Sequence, residues 1–303
     1  MSSASVVSPG TRSGFVAIVG RPNAGKSTLL NALIGQKISI TSRRPQTTRQ
    51  NIAGILTGAH AQLVFLDTPG FQTQFRTGLT KAMDRGFKNA LSEANVVLWL
   101  IDVTAREHMD NEIFARLQAN ADTPVVMALN KIDKIDNKNQ VLEYMQALNV
   151  AYHPKAIVPI SAQNKLQLDT LVDALTPLLP QQEFLYAEDN VTTASVRALA
   201  AEMVREKLFR LLGQELPYST AVEIETFEEK PELTRICAVI LVDKAGQKAI
   251  VIGKGGEKLK EIGTAARKDI EKLVGTKVFL QLFVKVKHAW ADDRRLLDRM
   301  GLS

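Results

Sequence analysis

The stretch Gly20–Ser27, which reads GRPNAGKS, is the feature that most constrains the fold of this chain. It matches GxxxxGK[ST] and lies between the apolar run Phe15–Val19 and a helix-forming segment. Glycines in such a loop let consecutive backbone N–H groups point at phosphate oxygens, and the following helix adds its positive end. Lys26 supplies a point charge, and the Ser27 hydroxyl is a ligand for Mg²⁺. The stretch therefore predicts a nucleoside triphosphate site.

Short β-branched apolar runs alternate with stretches of helical periodicity from Gly14 to about Leu179. This alternation predicts βα units on a mostly parallel sheet, whose ligands bind at the carboxyl ends of the strands. We expect one α/β domain over residues 14–180. Its expected strands are Phe15–Val19, Ile52–Leu56, Gln62–Leu66, Val96–Asp102, Val125–Asn130 and Ile157–Ser161. Its expected helices are Lys26–Gly35, Lys81–Ala90, Glu112–Ala119, Gln140–Leu148 and Leu168–Leu178.

The sequence Asp67-Thr68-Pro69-Gly70 follows the third expected strand directly. A carboxylate at this position can hold Mg²⁺ through water, and the N–H of Gly70 can reach a γ-phosphate. Contact with that phosphate would order the loop and hydrolysis would release it, so the motif also predicts a switch.

The sequence Asn130-Lys131-Ile132-Asp133 ends the fifth expected strand. The Asp133 carboxylate can accept two hydrogen bonds from the N1–H and the exocyclic amine of guanine, which adenine cannot offer. Asn130 is expected to brace neighbouring loops, and the alkyl stem of Lys131 can cover the base. Ser161-Ala162 fits a loop whose backbone N–H meets the guanine O6. These residues predict GTP rather than ATP as the nucleotide.

The pattern changes after Pro180, and residues 181–192 read as a polar linker. Residues 193–303 then show the order α-β-β-α-α-β, which predicts a second, α+β domain. The expected elements are helix Ser195–Leu212, strands Thr220–Phe227 and Leu233–Val242, loop Gly253–Gly256, helix Glu257–Leu273, strand Lys277–Val286 and a closing helix Trp290–Met300.

The loop of the second domain is a GxxG turn between two helices. Without side chains at its ends, such a turn lets a sugar-phosphate backbone approach the main chain. Residues 244–287 contain eleven Lys or Arg against four Asp or Glu. The alternative, that these cations are only the solvated face of one helix, stays open, as does the choice for Trp290 between core anchor and base-stacking platform. The candidate RNA-binding residues are Ile252, Gly253, Lys254, Gly255, Gly256, Lys258, Lys260 and Arg267.

Composition narrows the class of protein further. A formal net charge of +6 and a pI near 9.3 favour a polyanionic partner, although only weakly. The single cysteine excludes an internal disulfide and indicates a reducing compartment. No apolar run reaches the roughly 18 residues of a membrane span, and the first dozen residues show no secretory pattern. We expect a cytoplasmic protein whose residues 1–13 are disordered.

Together, the loop motifs resemble the guanine-nucleotide domain of the P-loop GTPases. Gly20–Ser27 and the stretch Gln46-Thr47-Thr48-Arg49 resemble the TrmE–Era group within them. The GxxG domain resembles a KH domain of the prokaryotic type (KH type 2), and Val286–Asp293 resembles the end of Era-family members. The resemblance implies an α/β P-loop GTPase domain followed by an α+β KH type 2 RNA-binding domain. It also implies hydrolysis of GTP to GDP, binding to the 3′ end of 16S ribosomal RNA and a role in assembly of the 30S subunit.

The resemblance also implies roles for single residues. Thr48 would be the switch threonine that closes onto Mg²⁺, with Thr47 as the competing assignment. Phe71 stands where small signalling GTPases carry the glutamine that orients water, and a phenylalanine cannot do so. In the resembling group Asn23 is associated with K⁺ near the phosphates; a turn-stabilising role is the alternative. We therefore expect slow turnover that K⁺ stimulates.

The resemblance extends to complete residue sets. The implied catalytic positions are Asn23, Lys26, Thr48 and Gly70, and the implied Mg²⁺ ligands are Ser27, Thr48 and Asp67. The implied nucleotide contacts are Gly20, Arg21, Pro22, Asn23, Ala24, Gly25, Lys26, Ser27, Thr28, Asp67, Thr68, Pro69, Gly70, Phe71, Asn130, Lys131, Asp133, Ser161 and Ala162.

Two other functions stay open at this point. One is a GTPase that assists tRNA modification, for which a mid-strand cysteine and the lack of room for another domain are unfavourable. The other is a regulatory GTPase in peripheral contact with the inner membrane through the amphipathic segment Arg294–Leu297. We expect a monomer that does not bind DNA.

Overall fold

The computed structural model describes residues 10–41, 48–49, 52–70, 77–105, 111–118, 122–213 and 216–302, without the side chains of residues 111 and 138. The chain divides into two compact units. Unit 1 comprises Met1–Ser39, Gln50–Gln72 and Asp84–Thr193, and unit 2 comprises Ile40–Arg49, Thr73–Met83 and Ala194–Ser303.

Unit 1 is built on a six-stranded sheet. Its strands are β1 (Arg12–Val19), β2 (Ile52–Thr57), β3 (Ala61–Asp67), β4 (Val96–Asp102), β5 (Val125–Asn130) and β6 (Ala156–Pro159). They lie in the order β2-β3-β1-β4-β5-β6, and all neighbours are parallel except β2 and β3. The helices are α1 (Lys26–Ile34), α2 (Gly78–Glu93, in this unit from Asp84), α3 (Asn111–Gln118), α4 (Lys138–Tyr152) and α5 (Leu168–Leu175). The predicted α/β fold is confirmed.

The strands of this sheet are apolar on both sides because helices cover both faces. On one face α1 and α5 contribute Leu29 and Leu171 to a buried cluster. On the other face Phe87 of α2 and Ile113 of α3 pack with the fully buried Trp99 of β4. The order of the strands reverses at β1, which has β3 on one side and β4 on the other. In such sheets ligands bind beyond the carboxyl ends of the strands at this point.

Two expected domain limits differ in the structure. β1 begins at Arg12, inside the range 1–13 that was expected to be disordered, and residues 1–9 of that range lie outside the described residues. Residues 181–192, expected as a linker, belong to unit 1 because they lie along β2 and β3: Ile55 N donates to Val191 O at 2.9 Å, and Gln62 Nε2 donates to Tyr186 O at 2.9 Å. This contact covers the edge of the sheet, which would otherwise expose unpaired backbone groups.

Unit 2 has the predicted order α-β-β-α-α-β. Its elements are α6 (Val196–Leu211), β7 (Thr220–Glu228), β8 (Leu233–Val242), α7 (Ala245–Ile252), α8 (Glu257–Val274), β9 (Lys277–Val286) and α9 (Arg294–Arg299). The sheet order is β7-β8-β9, with β7 antiparallel and β9 parallel to β8. The closing helix is shorter than predicted. A 3₁₀ turn covers Trp290–Asp292, and Asp293 then caps α9 by accepting a hydrogen bond from Leu296 N.

The sheet of unit 2 is covered on one face by α6, α7 and α8 and on part of the other face by the C-terminal residues. Trp290 is the anchor of that second cluster: it is 2% exposed and its Nε1 donates to Ser219 O at 2.9 Å. A side chain so enclosed is a core residue, which settles the choice left open by the sequence. Among the described residues, no helix is long and apolar enough to cross a membrane.

Candidate functional site

The phosphate loop makes its turn between β1 and α1 with two glycines at which a side chain would collide with neighbouring atoms. Gly25 caps α1 with φ +104°, a left-handed conformation. A Cβ on Gly25 would lie 2.4 Å from Asn130 Nδ2, and one on Gly20 would lie 2.4 Å from Leu100 O. The loop therefore packs directly against the ends of β4 and β5, and its backbone N–H groups come at the start of α1.

Lys26 is held inside this loop. Its side chain is buried, and Nζ donates to Gly20 O at 2.9 Å and to Arg21 O at 3.0 Å. Burial lowers the pKa of Lys26 to about 8, although the nearby Asp67 carboxylate acts to raise it. A cation that has lost its water in this way gains from an anionic ligand.

The Asp67 carboxylate gathers two hydroxyl groups. Ser27 Oγ and Ser39 Oγ each donate to Asp67 Oδ2 at 2.8 Å, and the carboxylate is fully buried. Asn31 on α1 places Ser39, because its side chain accepts from Ile38 N and Ser39 N at 2.9 Å and donates to Ser39 O at 2.7 Å. Ser39 and Asn31 were not predicted, since neither belongs to a sequence motif. A buried carboxylate beside hydroxyl oxygens is a donor set that suits Mg²⁺.

The loop after β3 meets the phosphate loop. A Cβ on Gly70 would lie 3.2 Å from Pro22 Cγ, and Thr68 Oγ1 donates to Ile18 O at 2.7 Å. Pro69 is buried like its neighbours. Phe71 lies outside the described residues, so its expected role stays a prediction.

Asn130 joins two loops of the site. Its side chain is 2% exposed; Nδ2 donates to Ala24 O at 2.8 Å and Oδ1 accepts from Ala162 N at 2.9 Å. The N–H of Ser161 is also used internally, since it donates to Leu166 O at 3.2 Å. The amides expected to meet the guanine O6 thus already have protein partners, and a base would have to share the Ala162 N–H as a bifurcated donor.

Lys131, the residue after Asn130, also binds the phosphate loop. Its Nζ donates to Asn23 O at 2.9 Å and also to the Asp102 carboxylate. Burial acts to raise the pKa of Asp102, but the hydrogen bonds from Lys131 and Thr104 outweigh it and lower that pKa. Asp102 was not predicted, although it pairs with Asn130 where β4 and β5 end side by side. Asp133, three residues after Asn130, is exposed.

The expected roles of Asn23 at K⁺ and of Thr48 at Mg²⁺ stay predictions. Asn23 is exposed and left-handed (φ +66°), a conformation that asparagine tolerates, so a turn role accounts for its residue type without a cation. Thr48 is buried and belongs to unit 2, while Thr47 lies outside the described residues. The assignment of either threonine to Mg²⁺ therefore stays a prediction. Arg21 is exposed, and Thr28 is half-buried in the first turn of α1.

The second glycine loop, in unit 2, is open. Gly253, Gly255 and Gly256 have φ values of +74°, +60° and +83°, and Gly256 begins α8. A Cβ on Gly255 or Gly256 would meet nothing within 4 Å. Lys254 between them is exposed. The loop thus offers bare backbone and the start of a helix to an approaching phosphate.

The predicted RNA-binding cations fall into two groups. Lys254 and Lys260 are exposed, whereas Lys258 pairs with Glu261 Oε2 at 2.7 Å and Arg267 pairs with Glu271 Oε1 at 2.7 Å. Glu271 Oε1 also accepts from Val278 N at 3.2 Å, so Arg267 helps to join α8 to β9. Ile252, at the end of α7, packs partly against the core of unit 2. Two of the predicted cations thus have acidic partners on α8, and the choice between a solvated face and an RNA surface stays open.

Two family models match the chain. The model described as 50S ribosome-binding GTPase matches residues 15–131, and the model described as KH domain matches residues 215–291. The first match contains the phosphate loop and Asn130, and the second contains the GxxG loop.

Curated relatives and solved structures extend the likeness over nearly the whole chain. GTPase Era of Neisseria meningitidis serogroup C is 50% identical over 295 residues, which cover 97% of this chain and 95% of the relative. GTPase Era of Vibrio vulnificus is 46% identical over 290 residues, which cover 95% and 90%. The crystal structure of an Aquifex aeolicus Era variant bound to GDP·AlF4⁻ has a TM-score of 0.93 at 39% identity and covers 97% of this chain and 100% of its own. A crystal structure of Era with MgGDPNP and nucleotides 1506–1542 of 16S ribosomal RNA has a TM-score of 0.92 at 39% identity, covering 97% and 99%.

Proposed function

Because the chain belongs to the Era family of GTPases, with a KH domain in its C-terminal part, we propose that it couples GTP hydrolysis to binding of the 3′ end of 16S ribosomal RNA during assembly of the 30S subunit. The proposal is supported by relatives with bound GDP·AlF4⁻ and with bound MgGDPNP and 16S RNA. The observation that carries it in this chain is Asn130, which joins the phosphate loop to the loop of Ser161 and Ala162.

The residues of unit 1 suit the phosphates and their metal. Lys26 and the N–H groups at the start of α1 supply positive charge from inside a closed loop. Ser27 and Asp67 would hold Mg²⁺, which would neutralise charge on the β- and γ-phosphates when bound. Among the described residues, no cluster of three or more His, Cys, Asp and Glu could hold a metal by itself. Phosphate oxygens of a bound nucleotide would complete the ligands of Mg²⁺, which is usually held by one or two carboxylates together with substrate phosphates.

Asp133 is the residue on which the choice of base depends. A site built to hydrogen-bond one base rejects another by about 10⁴-fold, because the buried polar groups are left unpaired. Titration calorimetry with GTP and ATP should therefore show GTP bound far more tightly, and Asp133→Asn should abolish most of the difference. Asp136→Asn is the matched control, since Asp133 and Asp136 are both exposed near the start of α4. Equal binding of ATP and GTP by the unaltered protein would contradict the proposal.

We extend the proposal to slow intrinsic turnover that K⁺ stimulates over Na⁺. The support is that Asn23 matches the phosphate-loop asparagine of the TrmE–Era group. Asn23 lies in the phosphate loop, where its backbone oxygen accepts a hydrogen bond from Lys131 Nζ. A cation near the phosphates would stabilise developing negative charge, as an arginine finger does. Hydrolysis rates measured in KCl and in NaCl should differ clearly, and Asn23→Ala should remove the difference. Equal rates in the two salts would refute this part of the proposal.

Unit 2 is proposed as the RNA clamp. Replacing Lys254 and Gly255 together by Asp places two negative charges on an exposed loop and should abolish RNA binding. Nucleotide affinity should not change, because both residues lie in unit 2. Normal RNA binding by this double variant would show that the clamp is elsewhere. Co-sedimentation with isolated 30S and 50S subunits would then test the ribosomal partner.

We propose a cytoplasmic location, and we no longer propose the peripheral membrane contact through residues 294–297. Leu296 and Leu297, the apolar residues of that segment, are 1% and 4% exposed in the core of unit 2. An amphipathic helix binds a membrane through an apolar face that it can expose. Flotation with anionic vesicles should therefore leave the protein unbound.

A further inference from the structure

Two phenylalanines stand out on β9, the edge strand of the sheet in unit 2. Its inward residues, such as Val278 and Val284, are buried in the core beneath the helices. Phe279 and Phe283 point to the other face and are 50% and 48% exposed. Two half-exposed aromatic rings on the same face of one strand are unusual, because large apolar side chains are normally buried more completely.

The C-terminal cluster covers the neighbouring part of this face and ends beside Phe283, whose partner in the register of β8 and β9 is Val239. It packs over Val239 and Leu241 of β8 with Trp290 and Leu296. Phe279 lies beside Arg235, and Gln281 lies beside the half-buried Cys237, in the register of β8 and β9. The open part of the face is therefore a strip along β9 with aromatic, polar and basic residues in alternation.

The charges along this strip favour a polyanion. Lys277, Lys285 and Lys287 belong to β9 or follow it, and residues 272–291 contain no Asp or Glu. Two of these lysines have acidic partners: Glu225 of β7 reaches across β8 to pair with Lys285 at 2.6 Å, and Asp293 pairs with Lys287 at 2.6 Å. Lys277 and Arg235 are exposed beside Phe279, so the positive charge is concentrated at that end of the strip. The aromatic rings are also separated by Gln281, so they do not form the continuous apolar patch typical of a protein interface.

The strip on β9 lies near the GxxG loop because the two helices that flank this loop pack against β9. Both α7 and α8, which flank the loop, contact β9. Gly263 lets α8 approach closely, since a Cβ there would lie 3.3 Å from Leu282 of β9. In the part of the chain that the structure describes, β9 is an edge strand, and it separates the helix side, with its glycine loop, from the face that carries Phe279 and Phe283. An extended polyanion bound at the GxxG loop would therefore reach Phe279 and Phe283 by passing over this edge.

We propose that Phe279 and Phe283 stack on bases of single-stranded RNA that continues beyond the GxxG loop. The inference rests on the proposed RNA binding of unit 2 and adds a second contact to it. Exposed aromatic rings on a sheet stack on bases of any sequence, and neighbouring lysines contact the phosphates. The two rings are four residues apart, or ~13 Å along a strand, which leaves room for a nucleotide over Gln281. Its amide both donates and accepts, and so can meet a base edge.

The test uses the full chain and two single-stranded RNAs labelled with fluorescein. An RNA of about 5 nucleotides fills a KH groove that clamps four, whereas one of about 12 nucleotides also reaches the strip. The double variant Phe279→Ala/Phe283→Ala should bind the longer RNA at least ~10-fold more weakly, since each stacked base is worth ~5-fold or more. It should bind the shorter RNA as the unaltered protein does. Val150→Ala is the control, because Val150 is an apolar residue of α4 that is 73% exposed.

A second variant reports the stacking directly. Phe283→Trp should keep the affinity for the longer RNA and lose fluorescence when that RNA is added. The native Trp99 and Trp290 are buried, so the unaltered protein gives the background signal. Unchanged binding by the double alanine variant, or a fluorescence change in Phe283→Trp no larger than this background, would overturn the stacking proposal while the RNA clamp stands; a protein-docking face would give this result. Failure of the unaltered protein to bind either RNA would instead overturn the RNA clamp on which the inference rests.

Discussion

The two glycine loops of this molecule use the same residue types in opposite ways. Each precedes a helix, α1 or α8, and each carries a lysine between glycines or beside one. Lys26 is 7% exposed and bonded to the loop's own carbonyls, whereas Lys254 is exposed to solvent. A Cβ on Gly25 would collide with Asn130, but one on Gly255 would meet nothing. The first loop is a closed cradle and the second is an open platform.

The difference follows from what surrounds each loop. The phosphate loop lies at the ends of β4 and β5, so Asn130 and Lys131 can reach it and fix its shape. The GxxG loop connects two helices at the surface, and its left-handed glycines are held by local contacts, such as the hydrogen bond from Gly256 N to Gly253 O at 3.2 Å. We expect a closed cradle to hold a small, highly charged ligand with little dependence on salt. An open platform suits a long chain of phosphates that binds with strong dependence on salt.

The largest expected effect is that of Gly25→Ala. The new Cβ would lie 2.4 Å from Asn130 Nδ2 at φ +104°, so the loop must take a strained conformation and the hydrogen bond from Asn130 to Ala24 must break. Left-handed strain costs about 1–2 kcal/mol and a lost buried hydrogen bond about 1–3 kcal/mol, so the free energy of unfolding of unit 1 should fall by roughly 2–5 kcal/mol. Urea unfolding measures this loss, and calorimetry should show at least ~100-fold weaker GTP binding.

The control for this prediction is Gly35→Ala at the end of α1. Gly35 is also left-handed, with φ +76°, but a Cβ there would meet nothing within 4 Å. Gly35→Ala should therefore lower the free energy of unfolding only by the left-handed strain, about 1–2 kcal/mol, and should leave GTP binding unchanged. Equal losses in the two variants would mean that the collision with Asn130 does not matter, and the phosphate loop would then be no more closed than the GxxG loop.

The sequence predicts those parts of the site whose residues are neighbours in the chain. The phosphate loop and the residues after β3 and β5 are read directly, because a strand, a loop and a helix follow one another locally. Asp102 and Ser39 were missed because they reach the site through tertiary structure. Asp102 is placed by the register of β4 with β5. Ser39 is placed by Asn31, which donates to Ser39 O and accepts from Ser39 N and Ile38 N. Neither arrangement leaves a pattern in neighbouring residues.

The limits of the two units likewise depend partly on local sequence and partly on tertiary contacts. Element order and most strand bounds follow from hydrophobic periodicity, and β4, β5, β8 and β9 have the predicted ends. The assignment of Ile40–Arg49 and Thr73–Met83 to unit 2 does not follow from it. Arg49, for example, donates to Thr220 O at 2.7 Å and lies 5.6 Å from the centre of the Trp290 ring. Such contacts join residues about 170 or more positions apart, which no local pattern can indicate.

The next effect concerns the proton on Lys26. Because burial lowers its pKa from 10.5 to about 8, the folded protein binds fewer protons than the unfolded chain between those values. The stability of unit 1 should therefore rise with pH across this window, and below pH 8 the cost of the buried charge is fully present. Phosphates would restore the charge, so nucleotide affinity should fall up to ~10-fold per pH unit above 8. Calorimetry of GDP binding at pH 8.5 in buffers of different ionisation enthalpy measures the proton uptake.

The matched control is Lys26→Gln, which keeps the polar end and loses the titrating group. Any ionisation of guanine itself occurs equally in both proteins, so the difference between them belongs to Lys26. Proton uptake that is the same in Lys26→Gln would show that the lysine is not held at a lowered pKa. The phosphate loop would then bind its ligand as an exposed lysine does.

The smallest expected effect is on the salt dependence of RNA binding. Lys254→Ala should weaken binding to all single-stranded RNAs alike, and should reduce the slope of log K against log salt by about 0.7–1, the value for one phosphate contact. Lys155→Ala, an exposed lysine of unit 1, should leave the slope unchanged. Lys258→Ala should change it less than Lys254→Ala, because Lys258 is already paired with Glu261. GTP binding should keep its own, flatter salt dependence in every variant, since salt screens the buried Lys26 poorly. If nucleotide and RNA binding responded to salt equally, the closed cradle and the open platform would be one kind of site, and the contrast between Lys26 and Lys254 would have no consequence for binding.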